Sequence, residues 1–233
     1  MTVETAVSEY TERKKELTER FLSEGGANFS DCELLELILL IGKSGKEVAE
    51  LTFNIFDKFR SIDKVLNAPI AELLQIKNLS ENTATLLKII AACGKRAAAE
   101  NIHSAQTSVL EHWEKFEEYC RQNMAHSEVE EFRVFLLDDK WHCFKDEIMS
   151  RGTVNHTTAY PREIVRFALQ NKAKGIILAH NHPSGDCKPS NDDVVLTEKI
   201  CEVANYAEIK VLDHLIVTEG PIFSFKSAGL IKD

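Results

Sequence analysis

The sequence predicts an α/β protein: a C-terminal three-layer α/β/α domain with a mixed sheet, preceded by a small all-α domain. Three observations predict it. Up to about Glu100 the apolar residues recur at helical spacing. From Phe132 onward, strand-type runs alternate with amphipathic helical patterns, which calls for helices on the faces of a sheet. Between them lies the polar stretch Asn101-Ile102-His103-Ser104-Ala105-Gln106-Thr107. It sets the expected domains at 1–107 and 108–233.

Taking the elements in order, Thr11 to Arg20 is charged and leads into Phe21-Leu22, and Gly25-Gly26 breaks the chain. Ser30-Asp31-Cys32-Glu33 has the form of a capping box, so a helix follows through Leu40-Ile41 and stops at Gly42. Gly42-Lys43-Ser44-Gly45-Lys46 is not a phosphate loop, because a Walker A motif needs glycine where Leu37 stands. The next helix, Lys46 to Phe59, carries Val48, Leu51, Ile55 and Phe56 on one face. Short helical pieces follow from Ser61 and Pro69, then a turn at Asn78-Leu79-Ser80 and a helix from Glu81 into Ala99.

In the second half a helix is expected from Ser108 to Met124. Phe132–Leu137 reads as a strand, Asp138-Asp139-Lys140 as a turn, and Trp141–Met149 as its hairpin partner. Arg151–Val154 is a further extended piece. Pro161 at the first helical position opens a helix with Ile164, Val165, Ala168 and Leu169 inward. Gly175-Ile176-Ile177-Leu178-Ala179 is short, branched and apolar, as a buried strand is. A helix from Asn191 to Ala207 would bury Leu196, Ile200, Val203, Ala204 and Ala207. Ile209–Val217 is a strong strand, and Glu219-Gly220 turns it into Ile222–Phe225.

The chemistry concentrates between His180 and Asp193. Residues i and i+2 of a strand point to one side, so His180 and His182 project together from the strand's end. Pro183 has no N–H for a ladder and stops the strand. Ser190-x-x-Asp193 reads as a helix cap with an acid at its third position, which carries Asp193 back toward the imidazoles. Two neutral imidazoles and a carboxylate form a three-ligand zinc set that keeps a fourth position for water. The same donors also suit non-haem iron, so the metal's identity stays open between zinc, iron and manganese.

The spacing H-x-H-x7-S-x2-D, which runs from His180 to Asp193, resembles the metal motif of the JAMM (MPN-plus) metallopeptidases, and the string His180-Asn181-His182-Pro183-Ser184-Gly185-Asp186 is similar to the form found in the bacterial RadC family. Arg151-Gly152-Thr153-Val154, Leu212–Val217 and Phe223-Ser224-Phe225 are also RadC-like. The resemblance implies a JAMM/MPN-like domain in which His180, His182 and Asp193 bind zinc. It implies Ser190 as the residue that helps hold the oxyanion. It implies an upstream glutamate as general acid/base, and family spacing selects Glu130, with Glu131 the fallback and Glu147 a remoter option. The implied activity is cleavage of a peptide or isopeptide bond in a peptide or protein substrate. His214 reads as a packed histidine in the core or beside the ligands, and His156 and Tyr160 as residues lining a substrate groove. Cys187 reads as a solvated loop residue.

The order of elements resembles the N-terminal domain of RadC proteins, and the helices around Asn78 resemble a helix-hairpin-helix, a motif that holds duplex phosphates through a glycine turn. Here Asn78-Leu79-Ser80 replaces its glycines, so DNA is a weakly supported partner. The net charge of −9 points the same way. The first 107 residues carry 13 basic against 16 acidic side chains, and the rest 15 against 21, so neither half has a nucleic-acid binder's basic excess. A zinc deaminase would need a P-C-x-x-C pair and a thermolysin-type protease H-E-x-x-H; neither occurs. The competing reading is a non-catalytic accessory protein that binds DNA or protein in repair or recombination. Six scattered cysteines, no signal-peptide pattern and no bilayer-length apolar run predict a reduced, cytoplasmic chain with no membrane association.

Overall fold

The computed structural model describes residues 3–42, 47–103, 108–152 and 159–231, with side chains from residue 11 onward. The chain divides into two compact units, Met1–Gly94 and Lys95–Asp233.

The first unit is helical, as predicted: α1 (Val3–Glu24), α2 (Asp31–Gly42), α3 (Glu47–Phe59), α4 (Ile62–Asn67), α5 (Ile70–Leu73) and the first part of α6 (Glu81–His103). Its core gathers Leu35, Leu39 and Leu40 of α2, Val48, Leu51 and Ile55 of α3, and Leu87 of α6. The cap at Ser30 forms: Glu33 N donates to Ser30 Oγ (3.3 Å), and the Glu33 carboxylate accepts from Ser30 N (3.0 Å). In the turn before α6, Asn78 takes the left-handed conformation (φ 68°), which asparagine tolerates better than most residues. Leu79 is buried there, and Ser80 caps α6 by accepting from Thr83 N.

The second unit holds α7 (Trp113–Met124), β1 (Glu130–Leu137), β2 (Cys143–Gly152), α8 (Pro161–Gln170), β3 (Gly175–Asn181), α9 (Asn191–Tyr206), β4 (Lys210–Val217) and β5 (Phe223–Ser224). The sheet order is β2-β1-β3-β4-β5. Among the described residues only β3 and β4 pair parallel; the other pairs are antiparallel, so the sheet is mixed. Alternate residues of the central strands feed two cores. Phe132, Val134, Leu178 and Ile216 face Ile164 and Ala168 of α8 and Ile200 and Ala204 of α9. Phe135, Leu137, Ile177 and Leu215 face Phe116 and Cys120 of α7. These are the expected three layers.

Details differ from the sequence pattern. Residues 108–112 form turns rather than the first turn of a long helix. Arg151 and Gly152 complete β2, and Thr153 and Val154 lie outside the described residues. Leu169 and Val203 are exposed. The buried stripe of α9 runs through Thr197, Ile200 and Ala204, and Val203 lies about 100° around the helix from Ala204. Among the described residues no helix is long and apolar enough to cross a membrane.

β3 begins at a crowded point. A Cβ on Gly175 would sit 2.7 Å from both Leu212 Cδ1 and Trp141 Cζ3, so only glycine lets these side chains close over the strand's start. The opposite end of β3 carries the two histidines.

Candidate metal centre

His180, fully buried, is the penultimate residue of β3, and His182 follows just beyond the strand. His182 N donates to Val217 O (3.1 Å), which carries the β4 contact one residue beyond the strand, up to Pro183. A turn then closes with Gly185 N donating to His182 O (3.0 Å), and Gly185 sits at φ 80°, where glycine is at home. This turn carries Asp186 O to 2.6 Å from His182 Nδ1. A carbonyl only accepts, so His182 bears its proton on Nδ1 and turns Nε2 toward His180.

α9 starts with the predicted capping box. Asp193 N donates to Ser190 Oγ (3.1 Å), and Asp193 Oδ2 accepts from Ser190 N (2.8 Å) and Ser190 Oγ (2.7 Å). The cap commits Oδ2 and fixes the carboxylate's orientation. Asp193 Oδ1 then lies 3.3 Å from His180 Nε2, and Oδ2 lies 3.7 Å from His182 Nε2. The two Nε2 atoms are 3.0 Å apart.

These distances fit a metal. Four ligands at zinc–nitrogen bond lengths stand about 3.3 Å apart at the corners of a tetrahedron. Among the described residues His180, His182 and Asp193 form the group whose donor atoms all fall within 4.8 Å of one another. The set has the two nitrogens and one oxygen expected of a catalytic zinc site. Cys187, on the intervening turn, is not in it.

The electrostatics reflect the crowding. Burial works to raise the Asp193 pKa, but His180 and His182 outweigh it and hold the carboxyl far below its usual range. The Asp193 hydrogen bond raises the His182 pKa against burial, with smaller help from the Asp186 carbonyl and the Glu130 charge. His214, on β4, lies with its Nε2 2.8 Å from His180 Nδ1. Burial pushes its pKa well below the ordinary histidine value, and neighbouring His180 adds to the effect. Its ring sits between Phe132 (centroids 5.4 Å) and Phe225 (4.6 Å).

The β1–β3 register separates the two glutamates. Phe132 pairs with His180, and directly opposed residues share a face. Glu130, two residues earlier, therefore lies on the histidine side. Glu131 turns to the other face, where its carboxylate is 3.1 Å from Arg151 Nε. Glu147 is exposed on β2, opposite Val134. Tyr160 is exposed ahead of α8, and its companion His156 lies outside the described residues.

Two residues beside the ligands were not singled out by pattern. Asn181, buried between the histidines, accepts from Glu131 N (2.8 Å) and donates to Val129 O (3.1 Å) and Ser127 O (3.3 Å). It pins the start of β1 and so the side on which Glu130 emerges. Thr197 lies one turn beyond Asp193, its Oγ1 2.6 Å from His214 Nδ1. The helix face it shares with Asp193 was readable from the i, i+4 spacing, but its partner on β4 was not.

The chain is similar to known proteins over most of its length. A family model described as "RadC-like JAB domain" matches residues 110–230, and one described as "UPF0758 N-terminal" matches residues 10–85. A UPF0758 protein of Ruegeria pomeroyi is 38% identical over 94% of this chain and 97% of its own length. A UPF0758 protein of Rhodobacter capsulatus is 40% identical over 92% of this chain and 100% of its own.

Proposed function

We propose a function from one premise: the chain belongs to the RadC/UPF0758 family. It is a zinc-dependent metallopeptidase-like hydrolase that cleaves a peptide or isopeptide bond, with the chemistry in the 108–233 domain. The observation that carries this reading is the convergence of two Nε2 atoms and a capped carboxylate at metal-ligand spacing.

When bound, the metal supplies Lewis acidity and lowers the pKa of a coordinated water to about 7. His180 and His182 would hold it through Nε2, and Asp193 through its carboxylate. Each ligand is oriented by a second partner: His214 for His180, the Asp186 carbonyl for His182, and Ser190 for Asp193. Glu130 accepts the proton of the attacking water and returns it to the departing amine nitrogen. Its position on the histidine face supports this choice over Glu131, which is engaged by Arg151. Ser190 donates to the substrate's carbonyl oxygen as charge builds there, releasing Asp193 Oδ2 to do so. The unpaired state of all six cysteines supports a cytoplasmic setting.

The test is hydrolysis of a panel of peptide and isopeptide substrates by zinc-loaded protein. Glu130→Gln is expected to keep its metal and lose about 10²–10⁴-fold in rate, and Glu131→Gln to stay near wild type. Hydrolysis that survives chelation, or that depends on Glu131 alone, would overturn the assignment.

A second reading, duplex DNA contact at Ile76–Thr85, draws on the left-handed Asn78, a backbone state that helix-hairpin turns usually give to glycine. It predicts salt-sensitive duplex retention that is lost with changes in that turn. No retention at low salt would dismiss it.

A further inference from the structure

We infer that Thr197, acting through His214, is a positioning residue that fixes the proton of His180 on Nδ1 and so leaves Nε2 bare toward the metal. The inference rests on the metal reading above and goes beyond it, because it says which atoms set the ligand's tautomer.

Thr197 Oγ1 lies 2.6 Å from Asp193 O, one helical turn back. A carbonyl oxygen has nothing to donate, so the single hydroxyl hydrogen of Thr197 goes to it, as in the usual back-bond of a helical threonine. The same Oγ1 is 2.6 Å from His214 Nδ1. With its hydrogen spent, Oγ1 can only accept there, so His214 bears its proton on Nδ1. A neutral imidazole has one N–H. His214 is fully buried between two phenyl rings, an environment that disfavours a charged ring, so its Nε2 is bare. That nitrogen is 2.8 Å from His180 Nδ1. Two bare nitrogens would repel at this distance, so His180 Nδ1 donates. Its remaining nitrogen, Nε2, faces the likewise bare His182 Nε2 and the Asp193 carboxylate, a convergence of lone pairs that a cation held between the three ligands would relieve, as none could at the His180–His214 contact.

Every member is sealed from solvent: Thr197 and His180 are 1% exposed and His214 is 0% exposed. No water can step in to reverse a link. The chain also closes on itself, since the carbonyl that begins it and the carboxylate that faces His180 both belong to Asp193. A histidine ligand whose distal N–H is held by a partner binds metal more tightly, and losing such a partner costs about 10- to 100-fold in metal affinity. Thr197 is two links from the ligand, and nothing in its residue type marks it as part of a metal site.

The test compares wild type, Thr197→Ser, which keeps the hydroxyl, and Thr197→Val, which keeps the shape and removes it. Imidazole ¹⁵N NMR of the metal-free proteins at about pH 8.5, above the ordinary histidine range, reads the tautomers. Zinc affinity is read by competition with a chromophoric chelator. Wild type and Thr197→Ser are expected to show His180 protonated on Nδ1. Thr197→Val is expected to lose that single tautomer and to bind zinc about 10- to 100-fold more weakly, with Thr197→Ser close to wild type. A His180 proton on Nε2 in the wild type would overturn the inference. So would a Thr197→Val protein with unchanged tautomers and unchanged affinity. A wild type that shows this proton pattern but holds no zinc would refute the metal reading alone, because the tautomers are read without metal.

Discussion

Asp193→Asn separates the two tasks of one carboxylate. Oδ2 accepts two bonds from Ser190 and so caps α9, while Oδ1 faces His180. Asparagine keeps an oxygen for the cap and loses the charge a metal needs. The loss of an acid near a helix N-terminus costs about 0.3–1 kcal/mol. For a chain of this size that lowers the metal-free melting temperature by about 1–4 °C. Zinc at a free concentration of about 100 times the dissociation constant stabilises the wild type by about 2.7 kcal/mol, a rise of roughly 5–11 °C. If the variant binds about 100-fold more weakly, the same zinc gives it about 0.4 kcal/mol, a rise near 1 °C. The assay is thermal unfolding with and without buffered zinc at a pH above the histidine range. A variant with the wild-type increment would refute the reasoning, because Asp193 would then serve only as a cap.

The other expectations follow from particular contacts. Gly175→Ala forces Leu212 or Trp141 to move, at a cost of about 1–3 kcal/mol; unfolding should register it while zinc affinity, set at the far end of β3, stays unchanged. Zinc uptake should fall with acid, because both imidazoles must be neutral to bind. Since Asp193 raises the His182 pKa in the metal-free protein, the fall should begin above the ordinary value of about 6.5; uptake titrated against pH checks this. Without metal the sign reverses. The protonated His182–Asp193 pair stabilises the fold below pH about 6.5, and that contribution is lost as pH rises through the raised pKa, which denaturant titration of the metal-free protein at pH 6 and pH 8 would detect. 

The metal ligands were legible because local rules place them. Alternation along a strand puts His180 and His182 on one side, and the Ser190–Asp193 cap signature returns the acid to them. The layers were legible because strand-type and helix-type periods differ. What the sequence hid depends on pairing across the chain. Glu130 and Glu131 are interchangeable by composition, and the β1–β3 register with Asn181 as its pin separates their faces. Thr197 reads as an ordinary helical residue until β4 brings His214 against it. Leu169 and Val203 fit an amphipathic pattern but lie outside the stripe that the sheet covers.

The most direct test of the metal centre is X-ray absorption on the zinc-loaded protein after removal of excess metal. The account predicts about one zinc per chain, a first shell of nitrogen and oxygen alone at roughly 2.0–2.1 Å, and outer-shell scattering from two imidazoles. A sulfur shell near 2.3 Å, which would bring in Cys187, or a protein that retains no zinc, would contradict it.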